Sequence, residues 1–253
     1  MSNRNLNALT TTDWRKQEER VQKRAQALRC REFTKKGYDF PPEPDSTNSL
    51  AIGEGRRLSA CVMFLDICDF SKRPMETDSE QDIVLRVLAL FFSEMISIAE
   101  EYDGRVEKNT GDGLMIYFPD NDSSAVQKAI ACALTMQAAT SKLINPIVKA
   151  TNTQEIQFRI SMDYGNVTIA KIGAPKRFSS NVAIGTTANI ASKMLKFAKE
   201  DQIILGDFAK QQLPVEWKYK YTQVLPISTG WVNTKTGSAY SFFLYTGRWT
   251  TLV

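Results

Sequence analysis

Histidine is absent from the 253-residue chain, and its absence removes several kinds of catalytic chemistry. Without histidine there is no Ser-His or Cys-His nucleophile pair and no zinc site with imidazole ligands. Carboxylates, lysine, arginine and metal-bound oxygen are the groups that remain for a reaction. An enzymatic activity of this chain would therefore depend on acidic residues, basic residues and cations.

Cysteine is scarce, and its four positions show no spacing typical of a metal site. They form no CxxC pair, and in a chain of this size they are expected to be reduced thiols of a cytoplasmic protein: Cys30, Cys61, Cys68 and Cys132. No run of eighteen apolar residues occurs, which predicts no membrane span, and the polar N-terminus predicts no secretory signal. The net charge of +4 is too small to indicate binding to nucleic acid.

The chain divides into an N-terminal extension, residues 1–57, and a larger folded domain, residues 58–253. Residues 37–55 contain three prolines and no helical or strand period, which indicates a linker. The extension is therefore expected to be a short helical element followed by a Pro-rich connection.

The helix of the extension is predicted over about residues 14–30, with Asp13 as its cap. Trp14, Val21 and Leu28 fall seven residues apart on one face, and basic residues lie between them. Two interpretations stay open. The helix packs on the domain or on a second subunit, or it offers a basic surface to a membrane or a partner.

In the folded domain, apolar strand-like runs alternate with helical patterns. Three helices are predicted, over residues 79–102, 122–144 and 187–198, with Pro146 ending the second. Residues 155–172 are interpreted as two strands joined by a turn at Tyr164-Gly165-Asn166. Other strands are predicted over residues 60–65, 105–110, 114–118, 202–205, 218–225 and 238–245. This order predicts an α+β fold with a ferredoxin-like βαββαβ core and added C-terminal strands.

The central stretch, residues 60–118, has a carboxylate at each of two turns. An apolar strand ends at Asp66, and a Gly-Asp-Gly sequence centred on Asp112 joins two further strands as a hairpin. A strand order that brings these ends together would place the two aspartates side by side. Two carboxylates held close without a basic neighbour repel each other unless they share a proton or a cation. The sequence therefore predicts a site for a hard divalent metal.

Three motifs in this chain resemble those of the class III nucleotide cyclase catalytic domain, in the order and at about the spacing of that family. They run from Phe64 to Ser71, from Lys108 to Asp112 and from Ile184 to Lys193. The resemblance covers roughly residues 58–245, so residues 58–253 are expected to be the catalytic domain. It implies the α+β fold of that family and cyclisation of a nucleoside triphosphate with two divalent cations, Mn²⁺ or Mg²⁺.

The resemblance assigns the metals to Asp66, Asp112 and the backbone carbonyl of Ile67. The segment after the first aspartate is expected to present backbone N–H groups to the triphosphate. Its candidate substrate-binding residues are Cys68, Asp69, Phe70 and Ser71. Asp69 departs from the family, which commonly has glycine there. Its carboxylate could repel phosphate, support a metal or face solvent, and the last is favoured.

The remaining candidate site residues concern the base, the ribose and the transition state. Lys108 aligns with the base-reading position, which is lysine in adenylate cyclases and glutamate in guanylate cyclases. The usual Asp or Thr partner is replaced by Val182, whose side chain cannot hydrogen-bond a base edge, so the purine-reading pair is incomplete. Asn189 aligns with the ribose-orienting residue. Lys193 aligns with the transition-state arginine, on the same helix face, and keeps its charge without the planar fork.

In the family, the metal residues come from one subunit, and the base-reading and helix residues come from the other. A homodimer with two shared active sites is therefore expected. The short extension and altered base pocket resemble the pyrimidine cyclases of bacterial Pycsar anti-phage systems, in which cyclic UMP or cyclic CMP activates a separate effector. An adenylate cyclase, favoured by Lys108, and a cyclase-like pseudoenzyme that binds nucleotide without turnover are the alternatives.

Overall fold

The structure is a computed structural model that describes residues 5–29, 50–109, 111–174, 178–233 and 236–249. Its helices are α1 (Thr11–Arg29), α2 (Asp78–Glu101), α3 (Ala125–Ala139), α4 (Asn145–Ala150), α5 (Thr186–Met194), α6 (Asp207–Gln212) and α7 (Val215–Lys220). Its strands are β1 (Gly55–Ile67), β2 (Arg105–Asn109), β3 (Gly113–Pro119), β4 (Phe158–Ala174), β5 (Phe178–Ile184), β6 (Ile203–Gly206), β7 (Thr222–Leu225) and β8 (Phe242–Tyr245).

The described strands form one sheet in the order β2-β3-β1-β4-β6-β8-β7, and β5 pairs with the far end of β4. The central strand β1 pairs antiparallel with β3 on one side and with β4 on the other. Along the chain, β1, α2, β2, β3, α3 and β4 follow the βαββαβ order, and β6, β7 and β8 extend the sheet. This confirms the predicted α+β class with a ferredoxin-like core and added C-terminal strands.

Alternation along β1 sends its side chains to two differently packed faces of the sheet. Cys61, Met63 and Leu65 belong to the main core with residues of α2 and α3. Ala60 and Val62 pack on the other face in a smaller cluster with residues of α5. Because strand residues alternate with a period of two, Asp66 lies on the α5 face.

Helix α1 packs against α2 through a buried ion-pair cluster. Arg20 and Arg24 both pair with Glu94, at 2.7 and 2.6 Å, and the Glu94 side chain is fully buried. The helix begins earlier than predicted, and its cap is Thr10 rather than Asp13, because the Thr10 hydroxyl accepts from the Asp13 amide. Residues 37–49 of the predicted linker lie outside the described residues, as does Cys30.

The second helix of the core does not end at Pro146, contrary to the prediction. The chain passes from α3 through a π-helical turn, Thr140–Ile144, into α4, where the proline occupies the first turn. Proline is tolerated in the first turn of a helix, and Pro146 accordingly lies at the start of α4. None of the described helices combines the length and the apolar character that are needed to cross a bilayer.

The predicted turn at Tyr164-Gly165-Asn166 is also wrong, because residues 158–174 form one 17-residue strand, β4. Pairing with β1 continues without a break from Gly55 opposite Ala170 to Ile67 opposite Phe158. Glycine is needed at 165 for packing rather than for a turn. A Cβ atom there would lie 2.6 Å from the hydroxyl oxygen of Thr187, at the start of α5.

The C-terminal third contains elements that the sequence pattern did not reveal. Residues 218–225 were predicted as one strand, but α7 reaches Lys220 before β7 begins. Pro214 is the N-cap of α7, a position where its missing N–H costs no intrahelical hydrogen bond. The strand β5 and the short helix α6 were not predicted.

Candidate active site

Asp66 and Asp112 lie on neighbouring chain segments at one end of the β1–β3 pair. Asp66 is opposite Gly113 in the strand register, and the Ile67 amide donates to the Asp112 carbonyl at 2.9 Å. Gly111 before the second aspartate has a φ of +98°, which glycine adopts without strain. The β2–β3 hairpin therefore brings the backbones of the two aspartates together.

The Asp66 carboxylate has a basic neighbour, so the expectation of a carboxylate pair without one is wrong. Arg159 of β4 donates from Nε and Nη2 to Asp66 Oδ2, at 2.9 and 2.7 Å. The two residues are 93 positions apart in sequence, and the antiparallel register of β1 and β4 places them opposite each other. A signal existed in the sequence, because Arg159 is flanked by Phe158 and Ile160 and so lies on the opposite face from them.

The oxygen atoms of this corner suit a hard divalent cation. Both Arg159 bonds go to Oδ2 of Asp66, and no described hydrogen bond reaches its Oδ1. Among the residues that the structure describes, no group of three or more Asp, Glu or Cys side chains could hold a metal by itself. Mg²⁺ is commonly held by one or two carboxylates together with substrate phosphates. Asp66, Asp112 and the Ile67 carbonyl therefore fit a metal that binds with a phosphorylated substrate.

The segment Cys68–Ser71 forms a loop that leads into a short 3₁₀ turn, Phe70–Lys72. The Cys68 amide donates to the Gln157 carbonyl at 2.8 Å, which attaches the start of the loop to the residue that precedes β4. Asp69 has a φ of +52°, and its half-exposed carboxylate pairs with Lys72 at 2.9 Å. Burial raises the pKa of the Cys68 thiol to about 11, so the thiol is protonated at neutral pH and is no nucleophile.

An open cleft of about 570 Å³ adjoins this loop. Cys68, Asp69 and Arg159 line one part of it, and residues 198–200 with Gln202 line another. Its volume lies within the range of small-molecule sites. The Arg159 side chain is about one-third exposed and lines the cleft, where a guanidinium can donate to phosphate oxygens while it stays close to Asp66.

Asn189 and Lys193 lie four residues apart on the exposed side of α5. The Lys193 ammonium is 5.9 Å from the centroid of the Trp231 ring, within cation–π range. In the described structure, no hydrogen bond or ion pair joins Asn189 or Lys193 to Asp66 or Asp112. A single chain therefore keeps the candidate metal corner, formed by Asp66, Asp112 and the Ile67 carbonyl, separate from the α5 side chains.

A buried polar cluster anchors the segment that contains Trp231. Asp163 of β4 is fully buried and accepts hydrogen bonds from the Tyr240 hydroxyl at 2.6 Å and the Ala209 amide at 3.2 Å. Burial raises the pKa of Asp163 to about 7. The Tyr240 amide donates to the Trp231 carbonyl at 2.8 Å. Trp231, which the sequence analysis did not single out, is thus connected through Tyr240 to the central sheet.

The predicted base-reading positions lie on neighbouring strands. Lys108 pairs with Met115 in the β2–β3 ladder, and its side chain lies outside the described part of the structure. Val182 of β5 is opposite Ala170 of β4 and is half-buried. Strand β2 also lies close to β5. The fold therefore brings the backbones of these two positions to the same region, where Val182 supplies an apolar surface.

Comparison with known proteins adds a family match and several relatives. The family described as "Adenylate and Guanylate cyclase catalytic domain" matches residues 54–243. A cytidylate cyclase from Staphylococcus aureus is 22% identical over 170 residues, which cover 65% of this chain and 40% of that protein. An adenylate cyclase from Anabaena cylindrica is 24% identical over 160 residues, covering 62% of this chain and 31% of that protein. The chain thus spans two-fifths or less of the length of these two curated relatives.

Solved structures with the same fold include two nucleotide cyclases. The guanylyl cyclase Cya2 superposes with a TM-score of 0.64 at 19% identity and covers 78% of this chain and 98% of its own. The adenylyl cyclase CyaB from P. aeruginosa gives a TM-score of 0.61 at 19% identity, covering 79% and 100%. At these identities the likeness establishes the fold and leaves the substrate undefined.

Proposed function

We propose that this chain, which belongs to the adenylate and guanylate cyclase catalytic domain family, converts a nucleoside triphosphate into a 3′,5′-cyclic nucleotide and pyrophosphate. The observation that supports this most directly is the corner formed by Asp66 and Asp112 beside an open cleft. Asp66, Asp112 and the Ile67 carbonyl would hold two divalent cations, Mn²⁺ or Mg²⁺. When bound, such cations neutralise phosphate charge and lower the pKa of the ribose 3′-hydroxyl.

The chain's own side chains have distinct roles in this proposal. Arg159 holds Asp66 in one orientation and donates to the triphosphate in the cleft. The backbone amides of residues 69–71 bind phosphate oxygens, whereas the Cys68 amide is already donated to the Gln157 carbonyl. Asn189 orients the ribose, and the ammonium of Lys193 stabilises the negative charge that develops in the transition state.

We propose a pyrimidine nucleotide as the substrate, with cyclic CMP or cyclic UMP as an anti-phage second messenger that activates a separate effector. Val182 supports this choice, because its apolar side chain lacks the hydrogen-bonding group that would pair with a purine. The similarity to a cytidylate cyclase points in the same direction. The competing product is cyclic AMP, which is favoured by Lys108 and by the similarity to an adenylate cyclase.

The proposed assembly is a cytoplasmic homodimer in which each active site takes residues from both subunits. In one chain the metal corner and the α5 side chains share no described contact, and Asn189 and Lys193 are exposed. Ile172 and Ile184, on the paired strands β4 and β5, are each about half exposed, so this two-stranded extension offers apolar surface for a second copy.

Mixing two inactive variants tests the shared-site dimer and the cyclase activity together. Asp66→Ala removes the metal corner, and Asn189→Ala removes the ribose contact, so each homodimer is expected to be inactive. In a randomly exchanged mixture, half of the dimers are mixed, and one of their two sites has no defect. Cyclic nucleotide formation is therefore expected to return to about a quarter of the wild-type rate per subunit.

The matched control mixes Asp66→Ala with Asp112→Ala, two variants of the same half-site. Every site in that mixture lacks one metal ligand, so no recovery is expected. Equal and negligible rates for both mixtures, with subunit exchange verified by a tagged copy, would contradict the shared site.

A further inference from the structure

A buried arginine lies directly after the candidate triphosphate loop and has no role in the reaction described so far. Arg73 is 7% exposed. Its Nη1 and Nη2 atoms donate to the backbone carbonyls of Gln154 and Glu155, at 2.9 and 2.7 Å. Within the described part of the chain, no carboxylate forms an ion pair with it. The guanidinium is therefore hydrogen-bonded to two peptide carbonyls and paired with no described carboxylate.

The segment that accepts these bonds is itself held firmly. The side chain of Asn145 donates to the Ile156 carbonyl at 2.9 Å and accepts from the Ile156 amide at 2.8 Å. Ile156 is buried in the main core. Two backbone bonds to one side chain fix this segment against α4. Arg73 is consequently fastened to a part of the protein that has little freedom to move.

The same segment holds the other end of the loop. The Cys68 amide donates to the Gln157 carbonyl at 2.8 Å, and between the two attachments the Lys72 and Arg73 amides donate to the Asp69 and Phe70 carbonyls. The loop from residue 68 to residue 73 is therefore attached at both ends to residues 154–157. Since four to six residues span the two attachments, the directions of the intervening amides are strongly restricted.

Burying a guanidinium without a carboxylate is costly, and an apolar residue of similar volume would avoid that desolvation, although it would leave two carbonyls without these bonds. Stability alone is therefore a weak reason for arginine at this position. A function that needs the loop in one conformation is a stronger reason, because phosphate binding by backbone amides depends on their convergence on one point.

We infer that Arg73 is the positioning residue of the triphosphate loop: its bonds to Gln154 and Glu155 hold the amides of residues 69–71 in the conformation that binds phosphate. This inference rests on the proposed function, since it assigns that loop to the triphosphate of the same site. Arg73 itself does not contact the substrate. Its loss is expected to weaken substrate binding more than it slows turnover of bound substrate.

The test compares Arg73→Met and Arg73→Lys with the wild type and with Arg15→Met, which removes an exposed arginine of α1. Steady-state kinetics are measured with the preferred triphosphate, and amide hydrogen exchange is measured for residues 68–73. For Arg73→Met we expect KM to rise about tenfold, kcat to change by less than about threefold and loop amides to exchange faster. The KM and the loop exchange rates of Arg73→Lys are expected to lie between those of the wild type and Arg73→Met, because an ammonium lacks the fork that reaches both carbonyls.

The possible outcomes distinguish a failure of this inference from a failure of the proposed function. A lower melting temperature with unchanged KM and unchanged loop exchange would mean that Arg73 is merely structural, and would overturn the inference. If Arg73→Met does not fold, Arg73→Lys decides by the same criteria. A wild-type protein that forms no cyclic product overturns the proposed function, and this inference with it. An active wild type with an unchanged KM in folded Arg73 variants overturns the inference alone.

Discussion

Asp66→Asn and Asp112→Asn are each expected to lower kcat/KM for cyclic nucleotide formation by about 1,000-fold or more. Either substitution removes one anionic oxygen donor from a two-carboxylate corner, and metal-ion stabilisation in such sites contributes several kcal/mol to the transition state. The measurement is the rate of product formation as a function of triphosphate concentration, in Mn²⁺ and in Mg²⁺. Loss of metal binding is checked separately by calorimetric titration with Mn²⁺.

The fold of both variants is expected to persist. Asp66 and Arg159 are 21% and 32% exposed, so loss of their pair is expected to change the free energy of unfolding by only about 1 kcal/mol. The control is Glu76→Gln, which removes one exposed carboxylate outside the corner and is expected to leave the kinetics unchanged. Turnover within tenfold of the wild type in both aspartate variants would refute the metal assignment.

The double substitution Arg20→Met with Arg24→Met is expected to lower the free energy of unfolding by about 3–5 kcal/mol. It leaves the fully buried Glu94 carboxylate without its two arginine partners, and an uncompensated buried charge is strongly destabilising. Urea unfolding, followed by circular dichroism, measures the change. If the charges are the cause, adding Glu94→Leu should recover much of the loss, because a buried apolar residue needs no partner.

A matched pair of substitutions separates charge loss from loss of this contact. Lys16→Met with Lys23→Met removes two positive charges from the exposed face of α1, and we expect a change within about 0.5 kcal/mol. If both double variants unfolded at the same urea concentration as the wild type, α1 would not be docked on α2 through Glu94. The result also bears on the division at residue 57, because a docked α1 would make the extension part of the folded unit.

Local sequence patterns were sufficient for the elements that form the candidate metal corner. The apolar run before Asp66 and the glycines around Asp112 specify a strand end and a hairpin by themselves, because turn geometry and strand alternation are local properties. The helical period of residues 79–102 likewise corresponds to α2, which differs by one residue at each end. These elements contain the motifs on which the family resemblance was based.

The partners of those residues depend on contacts between distant strands, and local patterns do not report them. Arg159 meets Asp66 only because β4 pairs with β1 over thirteen residues, and the glycine at 165 suggested a turn that would have interrupted that pairing. No local pattern in the sequence singles out Arg73. Its role is visible only when the segment 154–157, eighty residues later, is placed beside it.

The most direct test of the central claim is to incubate the purified chain with equimolar ATP, GTP, CTP and UTP and Mn²⁺, and to identify the products by mass. We expect cyclic CMP or cyclic UMP, and we expect this product to be absent with Asp66→Asn. Cyclic AMP as the main product would still support the cyclase reaction and the candidate metal corner. It would show that Val182 does not exclude a purine. Nucleotide binding without a cyclic product from any of the four substrates would contradict the proposed cyclase function and identify the chain as a cyclase-like pseudoenzyme.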